Sequence, residues 1–288
     1  MAILLNLQLW ERHCKMLCNK DNNYVIGDIF KMNEPELDIE YFKTFENKTC
    51  ILVNPDCDFP PPKYSHTYEF DNKYIEDSNV ECNSSLLSYQ ENIDTRIIEI
   101  IEKFNINILC YSCSVYHKNI KCIPLGVTWQ VQIPSFVLQP IEKTILCYAN
   151  FGIPTINRWF GNPRADAFSI IKNKNYITID NTQLDTIERK KSNNYNNYFN
   201  RLKKSKFSIC PRGCGIDSYR VYDAILCDCI PIMLNNNEYY NYFHEFPILF
   251  INDYEDISEE FLHEKWNKIN IQQFDKSKLT FEYWRNYV

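Results

Sequence analysis

Apolar positions in this chain fall into two kinds of segment that alternate along its length. Some are short, nearly continuous runs, and others recur at helical spacing. In the first half, residues 50–54, 106–111 and 121–124 read as buried strands, and residues 94–104 as a helix with Ile97, Ile98 and Ile101 on one face. Residues 130–140 carry no helical period, are punctuated by proline, and read as a linker. A second series follows: strand 145–149, helix 165–172, strand 176–179, helix 195–204, strand 207–210, strand 230–234 and strand 247–251. Ser258 then caps a helix whose first turn holds Glu259 and Glu260. Strands alternating with helices on both sides of a linker predict an α/β protein of two doubly wound, Rossmann-like domains facing a central cleft. The expected boundaries are 1–135 and 136–288, with the last helix packing back on the first domain.

Composition narrows the classes of function. The 288 residues suffice for two such domains, and a formal charge of −6 argues against a protein built around nucleic acid. No apolar run reaches membrane-spanning length. In the opening stretch, charge follows the apolar residues instead of preceding them, and no small-residue cleavage site is evident. The 13 scattered cysteines are then read as reduced thiols, and the expected location is the cytoplasm. On that reading the sequons at Asn47 and Asn83 carry no meaning. The Asn/Tyr-rich stretch 192–200 reads as a solvated helix edge or loop.

The richest chemistry lies in KFSICPRGCGIDSYRVYDAILCDCIPIML, residues 206–234. A strand runs into Pro211 and a turn with Gly213 and Gly215, where backbone must approach something closely. Asp217 and Ser218 are N-cap candidates for a helix carrying Ala224, Ile225 and Leu226. Such a unit places a helix N-terminus at the carboxyl end of a parallel sheet, where anionic ligands bind. Arg212 and Arg220 flank the turn and suit a phosphate or pyrophosphate. Asp223, three residues beyond Arg220, would share its helix face and could accept from a ribose diol. Equally, Arg220 and Asp223 could form a surface ion pair around an ordinary turn.

Residues 206–234 resemble the C-terminal signature of exostosin-like glycosyltransferases and of related enzymes from bacteria and large DNA viruses. Cys210, Pro211, Gly213, Gly215, Asp217, Arg220, Ala224, Cys229, Ile230, Pro231 and Ile232 match that pattern. HKNIKCIPLGV, LCYANFGIPTINRWFGNPR, FPILFINDYEDISEEFLHEKW and LTFEYW are similar to other parts of the family, so the likeness runs from about Asn105 onward. Asp223 stands where the family usually has glutamate, and Asp228 where it often has glycine. The resemblance implies a GT-B architecture and inverting sugar transfer from a nucleotide-sugar, a UDP- or GDP-sugar, to a hydroxyl of a glycan or glycoconjugate. It implies neither cofactor nor bound metal. The donor would lie on Arg164, Arg212, Gly213, Gly215, Asp217, Ser218, Arg220 and Asp223, and a viral or bacterial source fits the missing membrane anchor.

Other residues compete for roles. Arg158 and Arg164 follow the 145–149 strand; Arg164, just after Pro163 at a helix start, is the preferred diphosphate contact, with an ordinary solvated arginine as the alternative. Asp56 and Asp58 form an Asp-x-Asp, which in a GT-A transferase would hold Mg²⁺ or Mn²⁺. They read instead as loop carboxylates at the acceptor side, and Asp58, followed by Phe59, is preferred as general base over Asp56, His66 and His117. Cys210, Cys214, Cys227 and Cys229 lack the C-x2-C spacing of zinc knuckles, and Cys210 and Cys229 fall in or beside predicted strands, where thiols pack as small hydrophobes. A non-catalytic nucleotide- or glycan-binding protein on a degenerate transferase fold is the remaining alternative.

Overall fold

The computed structural model describes residues 18, 23–27, 37–52, 95–113, 115–127, 135–153, 163–180, 195–213, 215–235, 241–269 and 273–285. Asp56, Asp58, His66, Arg158 and Cys214 lie outside them. The strands form two sheets, and every pairing in both is parallel.

The first sheet has the order β1-β2-β3-β4: Tyr24–Ile26, Thr49–Leu52, Asn107–Cys110 and Ile120–Cys122. Its central strands are apolar on both faces, as helix-covered parallel strands must be; Cys50, Ile51, Leu52, Ile108, Leu109 and Cys110 are all buried. Helix α1 (Ile39–Lys43) precedes β2, and α2 (Thr95–Lys103) precedes β3, burying Ile97, Ile100 and Ile101 at helical spacing. Neither β1 nor α1 was expected, because three or five residues are too short to display a period. Instead α1 is set by Asp38, whose carboxylate accepts from the Tyr41 amide. Asn47 and Asn105, on the turns entering β2 and β3, both have positive φ, a conformation asparagine tolerates, and the Asn105 amide donates to the Asn47 side chain at 2.9 Å.

Within the expected linker, Ser135–Leu138 forms a 3₁₀ turn that buries Val137 and exposes Leu138. The second sheet then has the order β6-β5-β7-β8-β9: Ile177–Ile179, Ile145–Ala149, Ser205–Ile209, Ile230–Leu234 and Leu249–Ile251. Its helices are α3 (Pro163–Ile171), α4 (Tyr195–Lys204), α5 (Tyr219–Leu226) and α6 (Glu259–Lys268); α7 (Phe281–Arg285) follows. Ser258 caps α6, accepting from the Phe261 amide. Helix α4 exposes Asn196 and Asn197 and buries Phe199 and Leu202. Trp284 of α7 packs against Phe243 and stacks on Phe246. Among the described residues no helix is long and apolar enough to cross a membrane.

The result is an α/β architecture of two parallel sheets flanked by helices, compatible with a two-domain Rossmann-like GT-B fold. One apolar cluster, with Phe151, Phe207 and Leu262, covers one face of the second sheet. The other runs from the first sheet, through Ile108 and Cys122, into the buried side of α5 at Val221 and Ile225. Helix α5 is therefore packed where the two sheets meet.

Candidate active site

In the second sheet β5 is followed in sequence by β6 on one side, while β7 pairs on its other side. Such a reversal is where open α/β sheets have a crevice outside the carboxyl ends of their strands and bind ligands, here at β5 and β7. Asn150 leaves β5 at this point, and the Cys210–Ser218 turn leaves β7. Arg220, in the first turn of α5, spans the crevice: its Nε donates to the Asn150 carbonyl at 2.8 Å. Its η nitrogens make no hydrogen bond among the described residues. Asn150 is itself held, with its Nδ2 donating to the Tyr148 hydroxyl at 2.8 Å.

Arg164 reaches the same turn from α3. It is buried, its Nε donates to the Arg212 carbonyl at 3.1 Å, and its guanidinium packs close against Gly213. A Cβ on Gly213 would stand 2.7 Å from Nη2 of Arg164, so the glycine is required by close approach. Arg164, Arg212 and Gly213 are thus brought together on the turn that leaves β7, and Arg220 follows in the helix after it. Gly215 closes the turn, its carbonyl accepting from the Gly213 amide at 3.2 Å.

Ser218 is the N-cap of α5. Its Oγ accepts from the Arg220 amide at 3.4 Å, and its carbonyl from the Val221 amide at 3.0 Å. These amides are therefore committed to the cap, and positive charge at the crevice comes mainly from guanidinium groups. Asp223 does not turn toward Arg220. Its carboxylate is 1 % exposed and accepts from the Tyr198 hydroxyl of α4 at 3.2 Å. Burial, then the Asp223 charge, push the Tyr198 hydroxyl well above its ordinary value, against the opposing charge of Arg220. Burial likewise pushes the Cys210 thiol up to about 12, again opposed by Arg220.

Asp217 links the start of α5 to the first half of the chain. Oδ2 accepts from the Leu125 amide at 2.9 Å and from the Tyr222 hydroxyl at 2.7 Å, and Oδ1 from the Ser218 amide at 2.7 Å. Its own amide donates to the Ser112 Oγ at 3.4 Å. Leu125 and Ser112 lie on the turns leaving β4 and β3, so the carboxyl edge of the first sheet meets the start of α5 here.

His117 stands elsewhere. It precedes β4, and Nε2 lies 3.3 Å from Glu102 at the end of α2, at the amino edge of a sheet whose carboxyl edge faces Asp217. Among the described residues no group of three or more His, Cys, Asp or Glu is arranged to hold a metal ion. Cys210, Cys227 and Cys229 are buried free thiols.

Sequence reasoning passed over Asn150, Tyr198, Tyr222, Ser112 and Leu125. Asn150 had a usable signal, as the first polar residue beyond a buried strand. The others act through contacts distant in sequence and carry no local mark.

Residues 162–258 match the Exostosin GT47 domain. The GT47 match begins one residue before α3 and ends on the Ser258 cap of α6, so it contains Arg164, the Cys210–Ser218 turn and all of α5. The chain is also similar to a protein named "Probable glycosyltransferase" from Arabidopsis thaliana, at 44% identity over 41 residues. That alignment covers 14% of this chain and 8% of the relative's length. Within the GT47 stretch, Asp228 has φ 55°, a conformation that favours glycine, and its carboxylate pairs with Lys203 at 2.7 Å and with Lys276 at 2.5 Å. The two ion pairs account for an aspartate at a backbone conformation that glycine adopts without strain.

Proposed function

We propose that this protein is a glycosyltransferase that moves a sugar from a nucleotide-sugar to a hydroxyl of a glycan or glycoconjugate, with inversion at C1. The observation that carries the reading is Arg220 in the crevice at the β5/β7 reversal, inside the stretch that matches the GT47 domain. Its guanidinium is pinned through Nε, which fixes the plane in which its η nitrogens present paired donors to an anion. Arg164 and Arg212 add positive charge on the adjoining turn. In a desolvated crevice, fixed guanidinium groups stabilise the charge that develops on a departing diphosphate.

A base on the first half takes the acceptor hydroxyl proton as that oxygen attacks C1. The bond from C1 to the diphosphate oxygen breaks on the opposite face, and the nucleoside diphosphate leaves. Asp58 is the proposed base. Asp223 is the proposed ribose contact, and to accept from the diol it shares its carboxylate with the Tyr198 hydroxyl.

Thermal unfolding with UDP or GDP tests the donor site. A ligand that binds only the folded state adds about 2.7 kcal/mol at a hundred times its Kd. Arg220→Ala, which removes the pinned guanidinium, should abolish that shift and sugar transfer together. An undiminished shift in Arg220→Ala would remove Arg220 from the donor site, and no shift with either nucleotide would remove the nucleotide-sugar reading.

A further inference from the structure

We infer that Asp217 is a positioning residue that locks the start of α5 to the carboxyl edge of the first sheet. The inference deepens the proposed function, but its structural half rests on hydrogen bonds alone. A carboxylate at the mouth of a sheet–helix turn invites a ligand role. Here its oxygens accept from Leu125, Tyr222 and Ser218 at 2.7–2.9 Å, within the range of charge-assisted bonds. The groups bonded to it among the described residues are buried: Ser112 is 0%, Tyr222 1% and Leu125 3% exposed, and Asp217 itself 5%. Both flanking turns leave strands of the other sheet and are held in special backbone conformations. Ser112 has φ 49°, and Gly126, which follows Leu125, has φ 80°.

This joint has a mechanical consequence. Oδ1 holds Ser218, the cap of α5, while Oδ2 holds Leu125 of the first half. Arg220 follows the cap by two residues and reaches Asn150. The carboxylate therefore joins the first-half edge directly to the helix that presents Arg220, beside the Ser112 bond and the apolar packing of α5. In a transferase whose acceptor and donor lie on opposite sides of such a crevice, this bond sets the distance between the reacting groups.

The full chain and its Asp217→Asn variant distinguish positioning from binding. An asparagine has an acceptor at only one of the two positions, its NH2 being a donor, so one of the two links breaks or weakens. Amide hydrogen–deuterium exchange at Leu125 and Ser218 should accelerate at one or both by about tenfold or more, the factor that accompanies losing a hydrogen bond to a charged group. The Cys122 amide on β4 should be unaffected. The Kd for UDP or GDP, whichever the native chain binds, should stay essentially unchanged, while kcat for transfer falls by about 100-fold, as for a small misplacement of reactants. Unchanged exchange at both amides overturns the joint. Loss of nucleotide affinity with both amides still protected also overturns it, and makes Asp217 a ligand. If the native chain binds neither nucleotide while the variant still deprotects these amides, the joint stands and the donor reading fails. Should Asp217→Asn not fold, exchange in the native chain is the test: the Leu125 and Ser218 amides should both be protected, and exchange at the open-chain rate at either one overturns the joint.

Discussion

Gly213 offers a test of the site's construction that depends on no ligand. Its φ is not in the left-handed region, so an alanine there brings no backbone penalty of that kind. What it brings is a Cβ 2.7 Å from Nη2 and 3.6 Å from Cζ of Arg164. Arg164 is 8% exposed and tied through Nε to the Arg212 carbonyl, so its end cannot simply swing into solvent. Relief requires breaking that bond or shifting the turn. Overpacking of this kind costs about 1–3 kcal/mol. At roughly 2–4 °C per kcal/mol, Gly213→Ala should lower Tm by several degrees. In an Arg164→Ala background the new methyl meets vacated space. The same change should then be neutral, or stabilising by about 0.4–1 kcal/mol through the reduced freedom of the unfolded chain. Urea denaturation of the four proteins gives the coupling, which should be at least about 1 kcal/mol for residues in direct contact. An equal cost of Gly213→Ala in both backgrounds would refute the contact as the reason for glycine.

Three further predictions concern the two ends of α5. Lys203→Met should destabilise the protein by about 3 kcal/mol, the low end for breaking a buried ion pair, because Lys276 still faces Asp228; a loss within 0.5 kcal/mol of zero, the range of a neutral surface change, would show that the pair contributes nothing. Burial raises the Asp228 carboxyl, but its bonds to Lys203 and Lys276 outweigh this and hold it below the ordinary 3.8. A carboxyl lowered in this way adds stability that is complete above that ordinary value and is lost as pH falls through the folded value. Acid titration of folding should therefore show a smaller loss below pH 3.8 in Asp228→Asn than in the native chain. Ser218→Ala should cost about 0.5–1 kcal/mol, the lower range for an N-cap, since its bond to the Arg220 amide is long at 3.4 Å. A shift in the urea midpoint equivalent to more than about 2 kcal/mol would mean that the hydroxyl does more than cap.

The alternation of strand and helix was legible because a parallel sheet covered on both faces needs continuous apolar runs, and those runs stand out. Strand Ile145–Ala149, helix Tyr195–Lys204 and strand Ile230–Leu234 fall where the pattern places them. Gly213 and Arg164 were each legible alone, one as a site of close approach and the other as an arginine opening a helix. Nothing in the 48 residues between them says that each explains the other.

The helix α5 shows where local reasoning stops. Arg220 and Asp223 sit three apart, the spacing at which opposite charges on a helix meet. Yet the arginine turns to Asn150, 70 residues upstream, and the aspartate to Tyr198, 25 upstream. Asp217 accepts from Leu125 across 92 residues. Near the protein's interior a polar side chain must find partners, because leaving it unsatisfied costs more than the gain from any one local pairing. Where strands of two sheets converge, the available partners come from whichever turns the fold delivers there. Residue type and helical position thus nominate groups able to meet a diphosphate. Whether a given group meets the ligand or holds the site together is decided by long-range partners. On that criterion Arg220, whose η nitrogens make no hydrogen bond among the described residues, is the group we propose for the ligand, and Asp217, bonded to Leu125, Ser218 and Tyr222, the group we propose for holding the site together.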